Sequence, residues 1–249
     1  IEEMPDSILF WRSFTQWIGG IGIVMVFVTL LPAMGITGKS LIASEQIGVT
    51  QEGVQPRMLS KARFLFLIYG VLTLLCLLLL MWPGGMTLFD AVNHAMTCVS
   101  TAGFSTRNES IKAFDSISVE LVMVVFMFIA SCNFALLTTV VQRGPREILR
   151  DTEFRVYVGI IFGSIGAVTI ALMAESGRDF LDALRGASFN VVSVTTSTGY
   201  ATEDFQRWPL PPITVMLGAM IIGGCTGSTA GGLKVIRLVI VCKLIAYTV

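Results

Sequence analysis

The chain has 249 residues, of which 54% are hydrophobic and only 14% charged, and its formal net charge is +0; its mean hydropathy is +0.77. An ordinary soluble domain carries about 25% charged residues, so too little charge is present to cover a water-facing surface, and lipid must solvate much of the chain. The neutral balance without a basic cluster excludes a nucleic-acid partner. A single histidine (His94), with no CxxC pair among Cys76, Cys98, Cys132, Cys225 and Cys242, excludes a histidine-based metal cluster, a disulfide framework and a zinc site.

The chain opens on Ile-Glu-Glu-Met-Pro and closes at Val249 inside an apolar run, so it reads as a fragment of a longer protein. Residues 8–34 predict a first helix, with Arg12 near one end and Gly19, Gly20 and Gly22 inside. Residues 64–82 run nineteen positions without a charge, about 28 Å as a helix, which matches the hydrocarbon thickness. Residues 117–141 predict a second spanning helix, with Glu120 near its outer end and Asn133 bonding to a neighbouring helix. Residues 156–174 predict a third, in which Gly159 and Gly163 have the spacing of a close helix contact. A last apolar run over 212–222 breaks at Gly223 and resumes over 233–249.

Loop charge orients these spans. Lys39, Arg57, Lys61, Arg63, Arg143, Arg146, Arg150, Arg155, Lys234, Arg237 and Lys243 fall on one side, against Arg107, Lys112, Arg178, Arg185 and Arg207 on the other. Eleven against five places the first set in the cytoplasm, Arg12 being set aside. Residues 86–106 and 180–202 then begin and end outside, neither of them long and apolar enough to cross, and read as re-entrant segments: a short helix going in, a Ser/Thr/Gly strand returning. They repeat one another. Asp90 and Asp182, expected to cap the short helices, lie 92 apart, and Gly103 and Gly199 lie 96 apart, so the second pore segment is longer by four.

Irregular backbone at membrane depth must be buried or line water, and carbonyls of an extended strand can replace the hydration shell of a potassium ion. The candidate ion-binding residues are Thr101, Ala102, Gly103 and Phe104 in the first strand, and Ser197, Thr198, Gly199 and Tyr200 in the second. Glycine permits the φ that turns successive carbonyls to one axis, the aromatic wedges the strand against its neighbours, and Thr101 and Ser197 hydroxyls suit an inner site. Cys98 and His94 read as packed residues. The last helix is interrupted by Gly223, Gly224, Cys225, Thr226, Gly227, Ser228, Thr229, Ala230, Gly231 and Gly232. Because Leu233 and Val235 flank Lys234, this is not a phosphate-binding loop; five glycines in ten residues predict a flexible intramembrane gate beneath the strands.

The strands TAGFST and STGYAT, the loop GSTAGGLK and the opening FWRSFTQWIGGIGI resemble the Trk/Ktr/HKT superfamily of potassium transporters, in its bacterial Trk branch, over essentially the whole chain. The resemblance implies an all-α membrane protein built of helix–pore-loop–helix units like those of potassium channels, four of them around a pseudo-fourfold pore, incomplete here. It makes 1–35 the second helix of unit one, 36–62 a cytoplasmic linker, 63–142 unit two, 143–155 a second linker and 156–249 unit three. It further implies potassium uptake as a multi-pass protein of the inner (plasma) membrane, with no enzymatic activity and no cofactor, a homodimer, and a cytoplasmic nucleotide-binding regulatory subunit. Two rivals stand beside it. A proton- or sodium-coupled symporter needs an ionisable residue at membrane depth, and 64–82 and 156–174 hold none. A serine hydrolase using Ser228 needs His94 as its base.

Overall fold

The structure is a computed structural model that describes residues 1–26 and 54–248, and its described elements are helices. In chain order the α-helices are α1 (Asp6–Met25), α2 (Val54–Met81), α3 (Leu88–Val99), α4 (Ile117–Ala130), α5 (Phe134–Arg143), α6 (Arg146–Arg150), α7 (Thr152–Ser176), α8 (Phe180–Thr195), α9 (Leu210–Ile222) and α10 (Val235–Thr248), with short 3-10 turns over Ser110–Phe114 and Phe205–Arg207. α2 reaches back into the segment expected to be linker; the rest of that linker, with the end of the first helix, lies outside the described residues. Ala62–Met81 and Thr152–Ser176 are long and apolar enough to cross a membrane, and α4 with α5 makes a third candidate only as a bent pair.

That bent pair corrects the expectation of one helix over 117–141. α4 stops at Ala130, and α5 leaves at 95° after a break of three residues. The break is stable because its orphaned groups find partners. Asn133 does not bond to a neighbouring helix; it caps α5, its Oδ1 accepting from the amides of Ala135 (2.8 Å) and Leu136 (3.3 Å). The Ser131 hydroxyl bonds to the Tyr157 hydroxyl of α7.

Two further expectations change. The short helices are capped by Thr87 and Asp179, while Asp90 and Asp182 sit in the first turn, where a negative charge still meets the positive helix end. Gly159 and Gly163 make no close helix contact: nothing among the described residues lies within 4 Å of where a side chain would begin. The close approach occurs at Gly20 instead, where a methyl would collide with the Tyr69 hydroxyl and with Ser100. There α1 is tied to α2 by Trp17 Nε1 donating to Thr73 Oγ1 (3.0 Å) and by the Tyr69 hydroxyl donating to the Trp17 carbonyl (3.1 Å).

The short helices occupy equivalent positions. α3 lies against α1 and α2; α8 lies against α4 and α7. Each therefore touches its own unit's first helix and the second helix of the unit before. α3 has 12 residues and α8 has 16.

Candidate functional site

Each strand after a short helix runs back along it, held rung by rung. In the first copy the Thr97 hydroxyl lies 2.8 Å from the Phe104 carbonyl, His94 Nε2 lies 2.9 Å from Ser105 Oγ, and Thr106 Oγ1 donates to Asp90 Oδ1 (2.6 Å). In the second, Ser193 Oγ donates to the Tyr200 carbonyl (2.6 Å) and Asn190 Nδ2 to Thr202 Oγ1 (3.2 Å). His94 Nδ1 faces the Asp90 carbonyl at 2.7 Å, so the proton belongs on Nδ1 and Nε2 accepts from Ser105. His94 is thus a buried structural group with both ring nitrogens engaged, and the Ser228 hydroxyl donates to the Cys225 carbonyl (2.5 Å). No nucleophile–base pair exists there.

The backbone repeats more closely than the side chains. Thr101 and Gly103 have φ of 53° and 69°; Ser197 and Gly199 have 58° and 89°. Ala102 and Thr198 between them are not left-handed. This alternation turns successive carbonyls to one side of the strand, where an ordinary strand would point them to opposite sides. The amides point the other way: Ala102 and Gly103 both donate to the Thr97 carbonyl (2.8 and 3.2 Å), Thr198 and Gly199 both to the Ser193 carbonyl (2.9 and 3.3 Å). The carbonyls of Thr101, Ala102, Gly103, Ser197, Thr198 and Gly199 accept no hydrogen bond from the described residues. Those of Phe104 and Tyr200 already accept a hydroxyl. The Thr101 hydroxyl is turned to the Ser100 carbonyl (2.7 Å).

The strands are neighbours. A methyl on Gly103 would overlap the Thr198 carbonyl, so glycine is required there for contact as well as for φ. Tyr200 is 1% exposed and reaches across to the other copy, its hydroxyl 2.6 Å from Thr97 Oγ1 and its ring stacked on His94. Phe104 is 38% exposed and lies under the Arg12 guanidinium at 4.7 Å, which also donates to the Ser105 carbonyl (2.5 Å). Sequence reasoning had set Arg12 aside as a helix-end charge.

The glycine-rich loop 223–232 lies at the inner end of these strands. A side chain on Gly231 would meet Ser197 Oγ, and Thr229 Oγ1 donates to the carbonyls of Val99, the last residue of α3 (3.2 Å), and Ala130 (3.1 Å). The loop is also stitched into the α4–α5 break: Cys225 N–H donates to the Ser131 carbonyl (3.0 Å), Thr229 N–H to Ala130 (3.4 Å), and Phe134 N–H to the Gly227 carbonyl (3.1 Å). Gly223 and Gly232 pass so closely that a methyl on either would strike the other's backbone. Two charged residues missed in the sequence hold it. Glu153 Oε1 accepts from Thr226 N–H (2.6 Å), and Lys234 Nζ donates to the carbonyls of Ala230 (2.6 Å) and Cys225 (3.3 Å). The available signal was position: Lys234 interrupts an apolar run, and Glu153 lies in the first turn of a helix that starts four residues earlier than the uncharged stretch 156–174.

Apolar helices long enough to cross a membrane, two short helices with returning segments, and a broken helix beneath them define an all-α integral membrane protein. The cation transport protein family TrkH matches residues 1–163 and 169–249, and the chain belongs to that family. It is 37% identical over 246 residues, 98% of this chain, to the Trk system potassium uptake protein TrkH of Salmonella typhimurium, of which it covers 51%. Its identity to TrkG of Escherichia coli is 34%, covering 98% of this chain and 50% of that protein. The crystal structure of the potassium transporter TrkH from Vibrio parahaemolyticus superposes with a TM-score of 0.85 at 36% identity, over 97% of this chain and 49% of that one. The chain spans about half the length of the curated relatives it matches.

Proposed function

We propose that the chain supplies two adjacent quarters of a potassium-uptake pore in the inner membrane, with the strands 101–104 and 197–200 as neighbouring staves of a carbonyl selectivity filter and the loop 223–232 as its gate. The observation that carries this reading is the matched backbone of the two strands: left-handed φ at positions 96 apart, amides tied back to the short helix, and six carbonyls that accept no hydrogen bond from the described residues. Carbonyl dipoles aimed at one axis exchange for an ion's water shell at little cost. The relatives named as potassium uptake proteins support potassium as the ion, and their greater length leaves room for the remaining strands.

The gate reading rests on placement. The loop lies across the inner end of both strands, and α10 leads from it towards the side that carries more basic residues, where a nucleotide-binding regulatory subunit would act; two copies of the whole protein form the dimer. In the full-length protein, Gly103→Ser and Gly199→Ser should each lower the potassium-to-sodium permeability ratio by about tenfold, equivalent to about 1.4 kcal/mol of discrimination. Reversal potentials measured with the two ions on opposite sides check this. Ratios unchanged in both variants would remove the strands from the ion's path.

A further inference from the structure

We propose a binding site for one amine-headed, zwitterionic phospholipid at the junction of α4 and α8. An apolar slot of about 530 Å³ runs between these helices, lined by Ile117, Leu121, Val124, Leu181, Leu184 and Phe189. That volume is in the range of ligand sites, and the slot opens sideways: Ile117, Leu121 and Leu181 are among the most exposed large apolar residues of the molecule. At one end it meets a polar cavity of about 240 Å³, the two sharing Glu120, Asp182 and Arg185. An apolar slot facing hydrocarbon and ending in a charged mouth has the anatomy of a lipid, with a tail and a head, and matches neither a wholly apolar helix nor a soluble ligand.

The mouth selects the head. Arg185 is committed to Glu120 by two bonds of 2.7 Å, and Arg178 to Glu203 at 2.8 Å. Lys112 faces Glu109 at 3.7 Å. In and beside the mouth three cations are thus set against five carboxylates, the remaining two, Asp115 and Asp182, being 95% and 65% exposed and held only by longer contacts to Arg185 (3.9 Å) and Arg178 (3.7 Å). A mouth with excess negative charge disfavours an anionic head, while an ammonium group finds Asp115 and Asp182 and its adjoining phosphate finds Lys112 and the outer edge of Arg185. A lipid seated here braces the Glu120–Arg185 pair, which joins the second helix of one unit to the short helix of the next.

The test is native mass spectrometry of the full-length protein purified from membranes in mild detergent, with identification of the lipid it retains. One phosphatidylethanolamine per protomer is expected. Leu121→Trp, at an exposed position, should fill the slot and release it without changing the thermal unfolding midpoint. Asp115→Asn with Asp182→Asn should keep one lipid bound but move the preference from phosphatidylethanolamine towards phosphatidylglycerol, by about fivefold per carboxylate removed. The proposal is overturned if the parent retains no lipid, if it prefers phosphatidylglycerol, if Leu121→Trp retains as much as the parent, or if cross-linking from Leu181 captures another segment of the protein or a second copy in the slot.

Discussion

Three donors converge on Asp90: the hydroxyls of Thr87 (2.9 Å) and Thr106 (2.6 Å) and the guanidinium of Arg107 (3.1 Å). Burial opposes ionisation of this carboxyl, but these hydrogen bonds and the Arg107 charge outweigh it and hold it below the ordinary carboxylate range. A carboxyl depressed in the folded state stabilises above its unfolded value, about 3.9, and loses that contribution as pH falls through its folded value. Asp90→Asn should therefore destabilise the full-length protein by roughly 1–3 kcal/mol at neutral pH, with the difference from the parent closing in acid. Thermal unfolding in detergent across pH measures both arms. The aspartate was legible in the sequence as a helix-start charge, but its clasp was not, because Thr106 and Arg107 join it only once the strand has folded back. Likewise, glycine announced left-handed backbone at 103 and 199, whereas nothing in a threonine or serine announced it at 101 and 197. Those two conformations are imposed by the ladder to the short helix and cost about 1–2 kcal/mol each.

At the scale of elements, the longest uncharged runs were legible because nineteen apolar residues have few alternatives in a membrane protein. The α4–α5 break was not. Ser131, Cys132 and Asn133 are small interruptions of an apolar run, and a helix would absorb them unless its released backbone groups were met from elsewhere. They are met by the loop 223–232, so the sequence signal for one break lies almost a hundred residues away from it. The loop's own anchor makes a prediction. Glu153→Ala removes the acceptor for Thr226 N–H and should raise ion flux in the closed condition severalfold, as should deletion of three or four glycine-containing loop residues. Glu153→Gln keeps an oxygen in place and should stay near the parent. Flux into vesicles, with and without the proposed regulatory subunit, separates these outcomes; an alanine variant and a deletion that both behave like the parent would make the loop a kink rather than the proposed gate.

For the whole molecule, the orientation proposed from loop charge puts residues 36–53, which lie outside the described residues, in the cytoplasm. A cysteine placed at Ser44 should react with a membrane-impermeant thiol reagent only after the cells are permeabilised, and labelling of intact cells would invert the topology. The two copies share one arrangement of neighbours: α1 stands to α3 as α4 stands to α8.

The copies nevertheless differ at their aromatic position. Tyr200 is buried, with its hydroxyl on Thr97; Phe104 is open, with Arg12 over its ring. An assembly of identical subunits changes every copy of a position whenever it changes one, and a residue that suits three seats but not the fourth is lost from all. With both copies in one polypeptide, a mutation is felt once. Position 104 is free to hold a guanidinium over its ring while position 200 locks one strand to the next, a division of labour that no ring of equal partners can write into its sequence.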